Sequence, residues 1–296
     1  MNKYVSLIID IEKSRLYKAS DRVELQEYLI TCIDKLNILF KKGIVFDVIF
    51  SAGDELQGLF ADAVTAILYL RMLEMLVKPV RIRAGIGIGE LSVKIEGGLS
   101  TQQDGPAYHN ARKAINRVHE LQTQRTMIIS DKAEDALANH LLNSSMALKQ
   151  QQMYMQNIIL LMLEFLYPFV NNNIAMDHYS VVKDLLLEKY SYQIGQPGNS
   201  VAGKSKINNE NIKNQALHND NLMLMKEQIY IDGKYEDSES KIMKKGMSSN
   251  IAEIIGTTRQ NIDNIIKRGN SLIIRNMDYV ALQYLEKAYG GGTYDL

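Results

Sequence analysis

Asp10 and Asp54 lie at sequence positions where a protein built on a β-sheet can bind a metal ion. Asp10 follows the apolar run Tyr4–Ile9, which is typical of a buried strand. Asp54 lies in a Gly-Asp turn between two further strand-like segments. Mg²⁺ and Mn²⁺ prefer oxygen ligands and bridge phosphates, so the pair predicts a metal site for a nucleotide triphosphate, with Glu55 as a neighbouring carboxylate. A second interpretation is structural, because aspartate favours turns and can cap a following helix.

The two carboxylates can meet only if strands of one sheet bring them together. The first 135 residues alternate between strand and helix patterns, as a sheet covered by helices requires. The predicted strands are 4–11, 44–50, 56–60, 80–89 and 126–129, and the predicted helices are 20–41, 62–77 and 107–121. The β-α-β-β-α-β order at the start predicts an α+β fold with a ferredoxin-like N-terminal domain. In that sheet the first strand lies beside the central hairpin, so we expect Asp10 and Asp54 to converge.

The C-terminal region, predicted to be all-α, contains a helix-turn-helix pattern. A short apolar helix pattern ends at Gly256, which can adopt the positive φ of a tight turn. In the next helix, 259–268, we expect Ile262, Ile265 and Ile266 to face inward. Polar residues of a recognition helix read base edges, so double-stranded DNA is the predicted partner. The predicted DNA-contacting residues are Thr258, Arg259, Gln260, Asn261, Asn264, Lys267 and Arg268. A second interpretation is a helix pair used only for packing or dimerisation.

Charge is distributed unevenly, although the 296 residues include 34 basic and 34 acidic side chains. The balanced total and the 46% apolar content exclude a histone-like basic protein and a disordered chain. Residues 1–140 hold 18 side chains of each sign, whereas residues 241–275 hold seven basic and two acidic ones. The neutral total therefore hides a basic segment. Its further predicted phosphate contacts are Lys241, Lys244, Lys245 and Arg275.

Other features of the sequence indicate where in the cell the protein is located and how the chain is divided into domains. Cys32 is the only cysteine, which excludes an intrachain disulfide, and no targeting or membrane-spanning segment is visible. We therefore expect a cytoplasmic protein without a membrane partner. Three parts are predicted: a palm domain at 1–138, a helical region at 139–240 and a helix-turn-helix region at 241–296 with a last helix at about 277–288. One such module binds DNA weakly, so a homodimer or a second copy is expected.

Residues 198–205 match the P-loop pattern G-x-x-x-x-G-K-[ST], in which backbone N–H groups would bind phosphate. A P-loop follows a buried strand, and the segment before this one is not apolar. A second interpretation comes from residues 194–201, which align without gaps with 255–262. The lysine-containing loop would then belong to a degenerate copy of the helix-turn-helix.

Four sequence blocks resemble known folds. Asp10-Ile11, Gly53-Asp54-Glu55, Arg83–Glu90 and Gly105–Tyr108 have the order and spacing of class III nucleotide cyclases and related GGDEF-type palm domains. The chain resembles the SatD family more closely than it resembles the cyclases. This resemblance rests on four sequence blocks and on the C-terminal helix-turn-helix. The blocks are Asp10–Arg15, Ser51–Phe60, Gly85–Glu90 and Asp104–Ala114. This resemblance implies a cyclase-like domain with a DNA-binding tail, and thus a regulator or stress-signalling factor.

The resemblance also implies roles for single residues. Asp10 and Asp54 are the implied metal ligands, with Mg²⁺ or Mn²⁺ as the cofactor. The implied nucleotide-binding residues are Ile11, Ser14, Arg15, Gly53, Glu55 and Gly105. The implied catalytic positions are His109 and Lys113, with Arg112 adjacent, and the base-reading positions are Phe50 and Gln102.

At all four cyclase positions this sequence departs from the cyclase residues, whereas the metal pair is kept. The functions left open are a Mg-nucleotide-binding regulator, a metal-dependent cyclase or nucleotidyltransferase, and a scaffold that has lost catalysis.

Overall fold

A mixed five-stranded sheet forms the N-terminal part of the protein, as predicted. The computed structural model describes residues 3–121, 123–171, 179–192, 195, 197, 225–235 and 238–290. The strands are β1 (Tyr4–Ile11), β2 (Ile44–Ala52), β3 (Glu55–Phe60), β4 (Ile82–Gly89) and β5 (Thr126–Ile129). Their order is β2-β3-β1-β4-β5, and only the β4–β5 pair is parallel. The sheet is therefore the ferredoxin-like arrangement extended by one parallel strand.

Three helices cover the two faces of this sheet, because the strands alternate their side chains between the faces. They are α1 (Ala19–Leu39), α2 (Ala63–Val77) and α3 (Pro106–Glu120). Leu7 and Ile9 of β1 pack in the main hydrophobic core together with α1 and α2. Ile8 points to the opposite face, where it contacts Ala111 and Ile115 of α3.

Helix α3 lies unusually close to β4 because the facing strand positions are glycines. A Cβ atom added at Gly87 would lie 2.1 Å from the Ala107 carbonyl oxygen and 2.1 Å from the Ala111 nitrogen. A Cβ atom at Gly85 would lie 2.4 Å from the nitrogen of Ile115. The Gly-x-Gly-x-Gly pattern of β4 thus lets two backbones touch and fixes the position of α3.

Helices build the rest of the described chain. They are α4 (Asp135–Ser144), α5 (Met146–Gln151), α6 (Tyr154–Leu166), α7 (Tyr179–Ser191), α8 (Ser238–Ile242), α9 (Met247–Ile255), α10 (Arg259–Arg268) and α11 (Ser271–Tyr289). Two short strands, β6 (Phe169–Val170) and β7 (Ile229–Tyr230), pair in parallel. The last helix begins six residues earlier than the predicted 277, directly after Asn270, which has a positive φ.

A buried ion cluster joins α2, α6 and α11. Arg71 donates two hydrogen bonds to the Glu164 carboxylate, at 2.9 and 3.0 Å, and a third to Asp278 at 2.9 Å. Arg275 lies 2.6 Å from Glu164 and donates to the carbonyl of Tyr167. None of the four charged residues is more than 5% exposed. The C-terminal helices are therefore tied to α2 by charge as well as by apolar packing.

Arg275 corrects a prediction, since the charge distribution suggested that it binds phosphate. Its side chain is fully buried against Glu164 and stacks on the ring of Phe169, 4.5 Å from the ring centroid. It therefore contributes to the core, and the surface charge of the C-terminal segment is smaller than the sequence count.

Some predictions concern residues outside the described part of the chain. The P-loop-like residues 198–205 and most of the proposed repeat at 194–201 lie outside the described residues. The division at 138 and 240 stays a prediction. In the described part of the chain, no helix has the length and apolar character needed to cross a membrane.

Candidate functional site

A row of charged side chains crosses three adjacent strands at one end of the sheet. Asp10 of β1 is in register with Glu55 of β3 on one side and with Arg83 of β4 on the other. These residues alternate with the strand residues that pack against α1 and α2, so they lie on the face covered by α3. We call Glu55, Asp10 and Arg83 the charged row.

The Glu55 end of the charged row is held by Arg112 of α3. The two guanidinium nitrogens donate to the two carboxylate oxygens at 2.5 and 2.7 Å, and the Ser51 hydroxyl donates at 2.8 Å. Burial tends to raise the pKa of Glu55, but the hydrogen bonds from Arg112 and Ser51 outweigh it and hold the pKa below its ordinary value. Glu55 is therefore an ionised, fully engaged carboxylate.

Asp10, at the centre of the row, is less well satisfied. His119 Nε2 lies 3.2 Å from its carboxylate, and Arg83 Nε lies 3.9 Å away. The pKa of Asp10 is raised, chiefly because burial disfavours its charge; the charge of His119 opposes the rise and that of Asp54 adds to it. Asp54 thus lies close enough for the two carboxylates to repel, which is the arrangement that a bound cation would relieve.

The predicted metal ligands and part of the predicted nucleotide site therefore share one end of the sheet. Ile11 is buried at the end of β1, and a 3₁₀ turn that contains Ser14 and an exposed Arg15 follows it. Gly53 occupies the β2–β3 turn with φ 64°. Gly105, with φ 147°, precedes the first residue of α3. These backbone positions are those at which the resemblance expects nucleotide contacts.

The predicted catalytic residues separate along α3. Arg112 reaches the charged row, whereas His109 Nε2 contacts the Asp104 carboxylate at 2.9 Å, with both side chains largely exposed. Lys113 is exposed on the same helix. Their catalytic role stays a prediction.

Sequence reasoning missed His119 and Ser51. His119 follows Arg112 by seven residues, which is two helical turns, so both side chains lie on one face of α3. That spacing was the available signal. Ser51 gave no signal of its own, because its contact with Glu55 depends on the tight β2–β3 turn.

A divalent metal ion at this site would need donors beyond the protein side chains, such as the phosphate oxygens of a bound nucleotide. Among the described residues, no group of three or more His, Cys, Asp or Glu side chains is arranged to hold a metal ion. Asp10 and Asp54 offer hard oxygen donors, and Mg²⁺ commonly uses one or two carboxylates and completes its shell with phosphate oxygens and water. The donor set therefore suits Mg²⁺ together with a nucleotide.

A second candidate surface lies on α10. Helix α9 ends at Gly256 with φ 73°, and Thr258 caps α10 by accepting a hydrogen bond from the Asn261 nitrogen at 3.2 Å. Ile262 and Ile266 are buried, as expected. Two helices joined by a glycine turn thus form as the sequence indicated, and their use on DNA stays a prediction.

All seven predicted DNA-contacting side chains are exposed in this arrangement. They are Thr258, Arg259, Gln260, Asn261, Asn264, Lys267 and Arg268. Some also make local contacts: Asn261 donates to the Thr257 hydroxyl at 3.1 Å, and Arg259 lies 3.5 Å from Asp263. An exposed ion pair of this length stabilises little, so the Arg259 guanidinium remains free to meet another group.

Comparisons with known proteins give one matching family and solved structures of low similarity. The sequence profile of the SatD family matches residues 4–216. No curated protein matches the chain. A solved structure of a bacterial light-regulated adenylyl cyclase aligns with a TM-score of 0.33 and 13% identity, over 43% of this chain and 74% of that one.

Proposed function

The chain belongs to the SatD family, and from its structure we propose that it is a regulator that binds duplex DNA through α10. The observation that carries this proposal is the exposed polar face of α10, on which all seven predicted contact residues lie while Ile262 and Ile266 face inward. The family match ends at residue 216, so the DNA-binding proposal rests on α9 and α10 themselves.

The chemistry of this face suits DNA. Arg259 can donate two hydrogen bonds to a guanine edge, and Gln260 can pair with an adenine edge. Both stand in the first turn of α10, the part of a recognition helix that enters the major groove. Lys267 and Arg268, in the last turn, are placed to contact phosphates, which orient the protein without reading sequence.

The test is fluorescence anisotropy with a pool of labelled duplexes at several salt concentrations. Arg259→Ala combined with Lys267→Ala should weaken binding at least tenfold and flatten the plot of log K against log salt by roughly one unit, because only Lys267 is assigned to a phosphate. The matched control, Arg117→Ala combined with Lys94→Ala, removes two exposed cations elsewhere. Absence of binding at low salt, or equal losses in both double variants, would show that α10 does not bind DNA.

A second function is favoured by the register of β1 and β3, which places Asp10 opposite Glu55, the residue after Asp54, where the charges of Asp10 and Asp54 repel. We propose that the N-terminal domain binds a nucleotide triphosphate with Mg²⁺, which these two side chains would hold. When bound, the metal would neutralise phosphate charge and act as a Lewis acid.

Arg112, Arg83 and His119 are side chains at this site that can donate hydrogen bonds to phosphate oxygens. Two guanidinium nitrogens of Arg112 donate hydrogen bonds to Glu55. A phosphate must therefore compete with that carboxylate for these donors. His119 has only Asp10 as its ionic partner among the described residues.

A thermal-shift screen of the four NTPs, with Mg²⁺ or with EDTA, tests this second function. If an NTP binds to the native state, it should raise the midpoint of thermal unfolding when Mg²⁺ is present and leave it unchanged when EDTA is present. Asp10→Asn combined with Asp54→Asn should abolish the shift, and the control Asp34→Asn, at an exposed position of α1, should keep it. No shift with any NTP would contradict the proposal. A cyclic or transferred product in mass spectra, lost in the double variant, would favour the enzyme instead.

A further inference from the structure

A cavity of about 260 Å³ lies away from the charged row, beneath the link between α2 and β4. Residues of α4, α5 and α6 close its other sides. Four cationic side chains line it, and they are Lys78, Arg81, Arg125 and Lys149. No residue of the charged row contributes to the wall.

Two of these cations are already neutralised and two are not. Arg125 pairs with Glu12, and Lys149 lies 2.9 Å from Asp278. Within the described part of the chain, Arg81 and Lys78 have no carboxylate at ion-pair distance. Lys78 donates only to the backbone carbonyl of Lys149. Lys78 and Arg81 are therefore two cations of the wall outside any ion pair of the described residues, and the nearby Glu74 carboxylate offsets part of their charge.

The same cavity also holds one buried acceptor that has no donor among the described residues, and one carboxylate. Asn157 is 2% exposed, and its Oδ1 atom receives no hydrogen bond from the described residues. The Glu74 carboxylate lies on the same wall; burial raises its pKa, and the charges of Lys149 and Arg71 oppose that rise. A buried acceptor without a partner is costly, so a ligand that donates N–H groups would relieve the site.

Between the cations and the acceptors the wall is apolar. Met75 and Ile82 are buried there, and Leu142 and Leu160 belong to the hydrophobic core and its margin. Small-molecule sites typically combine such an apolar lining with a few polar groups that fix orientation.

We propose that this cavity binds a small organic phosphate with a ring that carries an N–H donor, the chemistry of a nucleoside monophosphate. The phosphate dianion meets Lys78 and Arg81, whose charges match it. The ring lies against the apolar wall, and its amine or amide donates to Asn157 and Glu74. The site uses no metal ion, which separates it from the proposed Mg-nucleotide site at Asp10 and Asp54.

The experiment is isothermal titration of the full chain with AMP, GMP, CMP and UMP in the presence of EDTA. At least one nucleotide should bind the wild type, and inorganic phosphate should bind at least tenfold more weakly. Arg81→Gln should weaken the nucleotide at least tenfold, as expected for a lost charge-assisted hydrogen bond. Arg81 is exposed, so its replacement leaves the fold intact.

Two matched variants complete the design. Arg117→Gln removes an exposed arginine of α3 and should leave binding unchanged, and so should Asp10→Asn, which alters only the charged row. The proposal is overturned if no nucleotide binds, if inorganic phosphate binds equally well, or if Arg81→Gln and Lys78→Gln both keep wild-type affinity. Loss of binding in Asp10→Asn would assign the nucleotide to the charged row and also overturn it.

Discussion

Replacing Glu164 by glutamine should show how firmly the buried ion cluster holds α2, α6 and α11 together. Glu164 accepts two hydrogen bonds from Arg71 and pairs with Arg275, and it is 1% exposed. Burial tends to raise its pKa, but the charges of Arg275 and Arg71 outweigh this and keep the pKa below its ordinary value. Glutamine has nearly the same volume, so the change removes the charge and little packing.

The expected loss follows from the burial of the partners. Removing one member of a buried ion pair costs about 3–5 kcal/mol, because the remaining charge stays in the interior. Here two guanidinium groups would share the single carboxylate of Asp278, which Lys149 and Ser145 also contact. Since folded proteins are stabilised by only about 5–15 kcal/mol, this is a large fraction of the total.

Urea unfolding followed by circular dichroism measures this loss directly, and the thermal midpoint should fall by about 10 °C. The matched control is Glu27→Gln on the exposed face of α1, which should change the free energy of unfolding by less than about 0.5 kcal/mol. If Glu164→Gln loses no more than this control, the cluster does not hold the helices and our reasoning is refuted.

Three further predictions concern Lys189, β4 and α10. Lys189 is fully buried, with its ammonium bonded to the carbonyl of Leu76, and burial lowers its pKa to about 7. The unfolded chain keeps this proton up to about pH 10, so stability should rise between pH 7 and 9, by at most about 1.4 kcal/mol per unit. Urea unfolding of Lys189→Met should show a flatter slope, and an unchanged slope would argue against this origin. Gly87→Ala should lower stability by about 1–3 kcal/mol or more in the same assay, because its Cβ would meet the Ala107 carbonyl; a wild-type midpoint would contradict the close contact. Thr258→Ala should lower the free energy of unfolding by about 1 kcal/mol, because the helix cap is lost. An unchanged free energy of unfolding would mean that the cap does not stabilise the protein.

Local patterns predicted most of the sheet and its helices. The apolar run that forms β1 and the alternation in the hairpin strands determine elements within a few residues, so both could be predicted. The inward isoleucines of α10 were predicted for the same reason, since helical spacing alone determines their face. The start of α11 was missed, because the positive φ that separates it from α10 falls on Asn270 and not on Gly269, which has a φ of −84°.

Contacts between distant residues could not be predicted from spacing. Arg275 looked like a surface cation because its partner Glu164 lies on another helix, far away in sequence. Asp10 was predicted as a metal ligand from its place at a strand end, but the closeness of His119 depends on how α3 crosses the sheet. The cavity beside Lys78 and Arg81 had no sequence signal, because four separate helices and a strand form its wall.

The contact between the glycines of β4 and the backbone of α3 determines how the charged row can respond to a ligand. With a backbone on each side, neither α3 nor β4 has side chains whose rearrangement would let the helix slide or tilt at Gly85 and Gly87. Accommodation must then come from rotation of Arg112 and His119 about their own bonds. Rotamer changes of exposed side chains take picoseconds to nanoseconds, whereas helix shifts take microseconds or longer. We therefore expect ligand entry to this site to proceed at the speed of side-chain motion.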